Sequence, residues 1–230
     1  MRPLPVVSIA IVWFASAESS ALEPAPLTLV WHDSSRLFPT VGLELMGKEI
    51  EELFRVNRLP VRFHAAAESE DLLRIPEPRV NVILLPKEGG RFGVPPNAMA
   101  AALGERGEKY TIFVFLSGVR RTLGHRGESS PRQLAELSLA LARIVAHEVV
   151  HVLAPERGHA DSGLMSGALE RESLLAKLLE LDQRSLVSAR WKLESMGKCE
   201  PSERFQISKT GGAPLDYNRA GGSRTCRSVK

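Results

Sequence analysis

The sequence predicts an α/β (α+β) fold: a mixed sheet backed by helices, with a small helical subdomain on its C-terminal side. Three observations carry this. Through residues 27–116, short apolar runs bounded by Pro and Gly alternate with one charged amphipathic segment. Residues 131–153 open with helix-start signals and hold only four formal charges, Arg132, Glu136, Arg143 and Glu148. A helix so apolar is packed on most sides, as against a sheet. Helical periodicity resumes beyond residue 165, which places a smaller helical unit after the long helix and a cleft between the two parts.

In chain order, residues 27–31 read as a short strand after a Pro-rich link. Residues 41–57 place Val41, Leu45, Ile50, Leu53 and Phe54 among charges, an amphipathic helix that ends near Pro60. Residues 61–65 alternate like a half-buried strand, and residues 80–85 form a strand between Pro78 and Pro86. Residues 89–97 are a Gly/Pro-rich loop and 98–103 a weak edge strand. Residues 111–116 are apolar without interruption, which suits an interior strand. Residues 117–130, with Arg120, Arg121, His125 and Arg126, read as a solvated, mobile loop. Ser130, Pro131 and Gln133 then give the capping signals of the long helix. Two helical patterns follow, at 168–179 and from a cap at Asp182 to Met196, with Gly197 as the stop.

A 230-residue chain that is 43% hydrophobic and 25% charged can bury a core of ordinary size, which we place in one domain over residues 22–198. The net charge of +3 comes from scattered Arg without an aromatic-interleaved basic run, so nucleic acid is not an expected partner. Residues 1–21 read as a signal peptide: Arg2, an apolar run at 6–15, and a cleavage site at Ala17 or Ala21. The expected location is therefore secreted or periplasmic, with no membrane span and a monomeric protein. Residues 199–230 are Gly-, Ser- and Arg-rich without periodicity and read as a disordered tail. Cys199 and Cys226 either pair in an oxidising compartment or stay as two thiols.

The chemistry concentrates in residues 147–165. His147 and His151 are four apart, so a helix stacks their rings on one face. Two such rings can hold one zinc ion at about 2.0–2.1 Å from each nitrogen. Glu148 is the candidate catalytic base, placed to reach a water without ligating the metal. A catalytic zinc site needs a third protein ligand and one open position. His159, after Pro155 and Gly158, is the preferred candidate for the third ligand, with Glu170 and Asp161 as alternatives.

These residues resemble the active-site pattern of zincin zinc metallopeptidases. The likeness is nearest to the metzincins, whose pattern is H-E-x-x-H-x-x-G-x-x-H followed by a methionine turn. His147, Glu148 and His151 match, and Met165 is similar to the short link to that turn in matrixin-like members. Two positions depart: Ala154 stands in place of the Gly, and Arg157 occupies the third-His slot, two residues before His159. The resemblance implies a Zn2+ cofactor, a peptide or protein substrate, and a metalloendopeptidase-like hydrolase. It also implies that Met165 packs beneath the metal. In the gluzincin group the third ligand is a Glu on a following helix, which keeps Glu170 in view. The rival class is a non-catalytic zinc-binding or interaction module. Glu148 speaks against it, since a structural site needs four protein ligands and no such base.

Overall fold

A computed structural model describes residues 26–197 apart from 67–74, 76–77, 88–92, 96, 105–109, 128 and 178. The leader, the Cys199–Cys226 question and the tail at 199–230 lie outside the described residues, as does most of the loop expected at 89–97.

Strand β1 (Leu27–His32) leads through helix α1 (Thr40–Val56) to β2 (Val61–Ala65), a parallel neighbour of β1. Parallel neighbours need such a crossover, because a tight turn can only join antiparallel strands. Strand β3 (Arg79–Leu85) lies on the other side of β1, again parallel. Strand β5 (Tyr110–Phe115) pairs parallel with β3, and β4 (Ala100–Gly104) closes that edge antiparallel to β5. The sheet order is β2-β1-β3-β5-β4, so β5 is interior and β4 is an edge, as their sequences predict.

The core lies on one sheet face. Registers align Leu29 with Val80 and Trp31 with Val82. Val82 in turn aligns with Ile112, and Leu84 with Val114. All seven are buried. Helix α1 adds Met46, Ile50 and Phe54, spaced four apart on its buried face. Burying each such side chain stabilises the fold by about 1.5–3 kcal/mol. Helix α3 (Pro131–Leu153) packs against α1 and against β4 and β5. It starts as its sequence dictates: Ser130 Oγ accepts from the Gln133 backbone N–H, and the Gln133 side chain accepts from the Ser130 N–H. It ends at Leu153, where Pro155 cannot continue the hydrogen-bond ladder.

Two segments differ from expectation. Residues 117–130 are not all loop: Leu116–Leu123 is a helix, α2, that buries Leu116, Val119 and Leu123 and stops at Gly124 in the left-handed region. Arg120 and Arg121 distract from that apolar stripe, since both lie in its last turn, where cations favour the helix dipole. The pattern at 168–179 shortens to α4 (Arg171–Leu175). Buried Arg143 of α3 donates Nη1 to the Ser173 and Leu174 carbonyls, taking the groups that a longer α4 would use internally. Helix α5 (Gln183–Gly197) follows, capped by Asp182 Oδ1 accepting from the Arg184 and Ser185 N–H groups. Among the described residues no helix is long and apolar enough to cross a membrane.

Candidate metal centre

The last two turns of α3 and the link behind them bring His147, His151 and His159 together, each offering one nitrogen within 4.8 Å of the others. His151 Nε2 lies 3.0 Å from His147 Nε2 and 3.2 Å from His159 Nε2. A tetrahedral ion bound at 2.0–2.1 Å holds its ligand nitrogens about 3.3 Å apart, so the spacing fits one metal. The His147 Nδ1–H donates to the Leu164 carbonyl at 2.7 Å. That bond fixes the tautomer and leaves the Nε2 lone pair facing the cluster. Burial pushes the His147 pKa down to about 4 against the opposing effect of the Leu164 bond, with His151 and His159 lowering it further. Burial, then His159, also lowers His151. Neutral imidazoles are what a metal requires, and the residues present therefore fit a divalent ion with imidazole preference.

The link that delivers His159 is built from its backbone. The Ala160 N–H donates to the Met165 carbonyl at 2.7 Å, closing the turn. Gly163 has φ +77°, and the Leu164 N–H donates to the Glu180 carbonyl at 2.9 Å. Met165 is buried in the core, while His159 is exposed and packs against Gly167. Arg157, in the slot where the resembled pattern has its third His, instead turns its Nε to Ser188 Oγ on α5 at 3.3 Å. Glu170 and Asp161 stand outside the three-His cluster. Glu170 is exposed and precedes α4, where its backbone carbonyl accepts from the Leu174 N–H. His32 bonds Asn81 at 3.1 Å and His125 bonds Glu136 at 3.1 Å, so both serve the structure.

Glu148 faces β4. Burial raises its carboxyl to about pKa 7, opposed by a hydrogen bond from the Ala102 backbone N–H. Sequence reasoning did not find Ala102, the Leu164 carbonyl or the Glu180 carbonyl, because each acts through backbone atoms that carry no residue-type signal. Gly163 was the legible hint of the last two.

No protein-family model matches this chain, and no curated protein matches it in sequence. Its structure is similar to several solved ones. Archaemetzincin from Methanopyrus kandleri shares 14% identity over 74% of this chain and 95% of its own, with a TM-score of 0.43. Metalloproteinase-II from Bacteroides fragilis shares 10% over 76% of this chain and 55% of its own, with a TM-score of 0.47. A zinc-dependent peptidase from Methanocorpusculum labreanum shares 15% over 71% and 99%, with a TM-score of 0.43. Likeness at this level leaves the function of this chain to its own site.

Proposed function

We propose that the protein is an exported, monomeric zinc metallopeptidase of metzincin-like type that hydrolyses internal peptide bonds. One observation carries this reading: three imidazole Nε2 atoms converge, and the residue next in the chain to the first is a half-buried carboxylate. An all-imidazole donor set suits zinc and not magnesium or calcium, which take oxygen ligands. Three protein ligands with a position left open are the mark of a catalytic zinc site.

Zinc, when bound, supplies a Lewis acid that activates water and polarises the scissile carbonyl. The chain supplies the rest. His147, His151 and His159 hold the ion, and the Leu164 carbonyl keeps His147 in the ligating tautomer. The Glu148 carboxylate accepts a proton from the attacking water and returns it to the leaving amine nitrogen. A carboxyl raised to about 7 is matched to that task near neutral pH, and a nearby cation shifts it toward the charged form. Ala102, which steadies this carboxylate, belongs to the edge strand β4. An exposed edge of this kind can take up an extended peptide by strand addition. Export rests on the leader pattern at residues 1–21.

The test is cleavage of a mixed peptide library by metal-free and zinc-reconstituted protein. Cleavage that returns with about one zinc per chain supports the proposal. Zinc uptake without cleavage of any peptide points to the non-catalytic zinc-binding module, and no uptake removes the metal reading altogether.

A further inference from the structure

Well away from the imidazoles, at the opposite end of α3, the fold forms a cavity of about 550 Å³ that is open to solvent on one side. Its apolar walls are Leu37 and Pro39 before α1, and Leu134 and Leu137 in the first turns of α3. Arg120 of α2 supplies the one charged side chain among the described lining residues, beside Gly127 and Ser129. The volume lies within the range of small-molecule sites, and apolar walls with a few polar groups are their usual lining.

Each wall is fixed independently. The Asp33 carboxylate accepts from the Leu37 and Phe38 backbone N–H groups at 2.9 and 2.8 Å, which pins the 37–39 segment. The end of α2 is locked by the His125 N–H donating to the Arg120 carbonyl at 2.9 Å, with Gly124 in the left-handed conformation. The α3 wall is held by its capping box. Such a cavity requires little ordering when a ligand enters.

The Arg120 guanidinium is under-used. Its Nε is buried without a hydrogen-bond partner, and Nη1 makes one long bond of 3.4 Å to the Gly127 carbonyl. The buried Nε does not open onto the cavity, but the weak Nη1 bond leaves that end of the guanidinium able to take a stronger acceptor. The nearby acid Glu136 is already engaged by His125, Arg132 and Arg171. The N-terminal end of the long α3 helix, capped by Ser130, lies beside Ser129, and its dipole adds to the preference for an anion.

We infer that this cavity binds a small amphipathic monocarboxylate, its carboxylate on the Arg120 guanidinium and its apolar tail against Leu37, Leu134 and Leu137. The Arg fork matches a planar carboxylate, and the walls account for the tail.

Titration calorimetry of the full chain with octanoate tests this, with 1-octanol and inorganic phosphate as comparison probes. Saturable one-to-one octanoate binding is expected. It should weaken by about 10–100-fold in Arg120→Gln and for octanol, the range of a lost charge-assisted hydrogen bond. Leu37→Trp, which fills the mouth from a half-buried position, should abolish it while leaving the thermal midpoint near wild type. Binding must persist in His151→Ala, which separates this cavity from carboxylates taken up by a metal. The inference is overturned by no saturable octanoate binding in the millimolar range. Equal affinity in Arg120→Gln, phosphate binding as tightly as octanoate, or loss of binding in His151→Ala would overturn it equally.

Discussion

His147 donates its Nδ1–H to the Leu164 carbonyl at 2.7 Å, and the Leu164 N–H donates in turn to the Glu180 carbonyl at 2.9 Å. A ring of the three-imidazole cluster is thus oriented by a loop, and the loop by the segment leading into α5. The whole arrangement passes through Gly163, whose φ is +77° and where a Cβ would meet the Glu180 oxygen at 2.6 Å.

Gly163→Ala should therefore weaken zinc binding by about 10–100-fold, the usual cost of losing an outer-shell partner. It should also destabilise the fold by about 1–3 kcal/mol through backbone strain. Chelator competition and urea denaturation read the two effects. Unchanged zinc affinity would show that Leu164 does not orient His147.

The third ligand can be tested by contrast. His159→Ala should reduce zinc affinity strongly, while Glu170→Ala and Asp161→Ala should leave it near wild type, since neither joins the cluster. Gly167→Ala should have an intermediate effect, because its new Cβ would press on His159 at 3.3–3.5 Å. Zinc affinity that survives His159→Ala and falls with Glu170→Ala would move the third ligand to Glu170, just before α4.

Much of this was legible in the sequence because it follows from side-chain types at fixed spacing. The capping box at Ser130, the stop before Pro155, the Asp182 cap and the His147/His151 pair are all local. Helix α2 was hidden by Arg120 and Arg121, although Leu116, Val119 and Leu123 carry helical spacing and Gly124 supplies the stop. The length of α4 was not legible, because it depends on Arg143, about thirty residues earlier, taking its carbonyls. Strand order was equally hidden, since β1 lies between β2 and β3 and no local pattern records a non-local neighbour.

Arg143 carries a stability prediction. Its buried guanidinium joins α3 to the end of α4, at 2.7 Å to the Leu174 carbonyl, and to Glu49 of α1 at 3.6 Å. Arg143→Met should keep most of the packing but leave the Leu174 carbonyl without its donor, costing about 1–3 kcal/mol. Equilibrium denaturation checks this, and no measurable loss would remove Arg143 as a tie between the helices.

Glu136 sets an acid limb. The hydrogen bond with His125 holds its carboxyl below the usual glutamate range, with burial opposing and Arg132 and Arg171 assisting. A depressed folded-state pKa contributes stability that is complete above the unfolded value of about 4.3. That contribution is lost as pH falls through the lower folded value. Urea midpoints measured from about pH 6 downward should drop less steeply for Glu136→Gln than for wild type. Identical slopes would contradict this assignment.

The most direct measurement is zinc content and peptide turnover on the same samples of wild type and Glu148→Gln. The account predicts about one zinc per chain in both. Turnover in the variant should be lower by about 10²–10⁴-fold, as expected for loss of a general base. Variant turnover close to wild type, or wild-type protein that takes up no zinc, would contradict it.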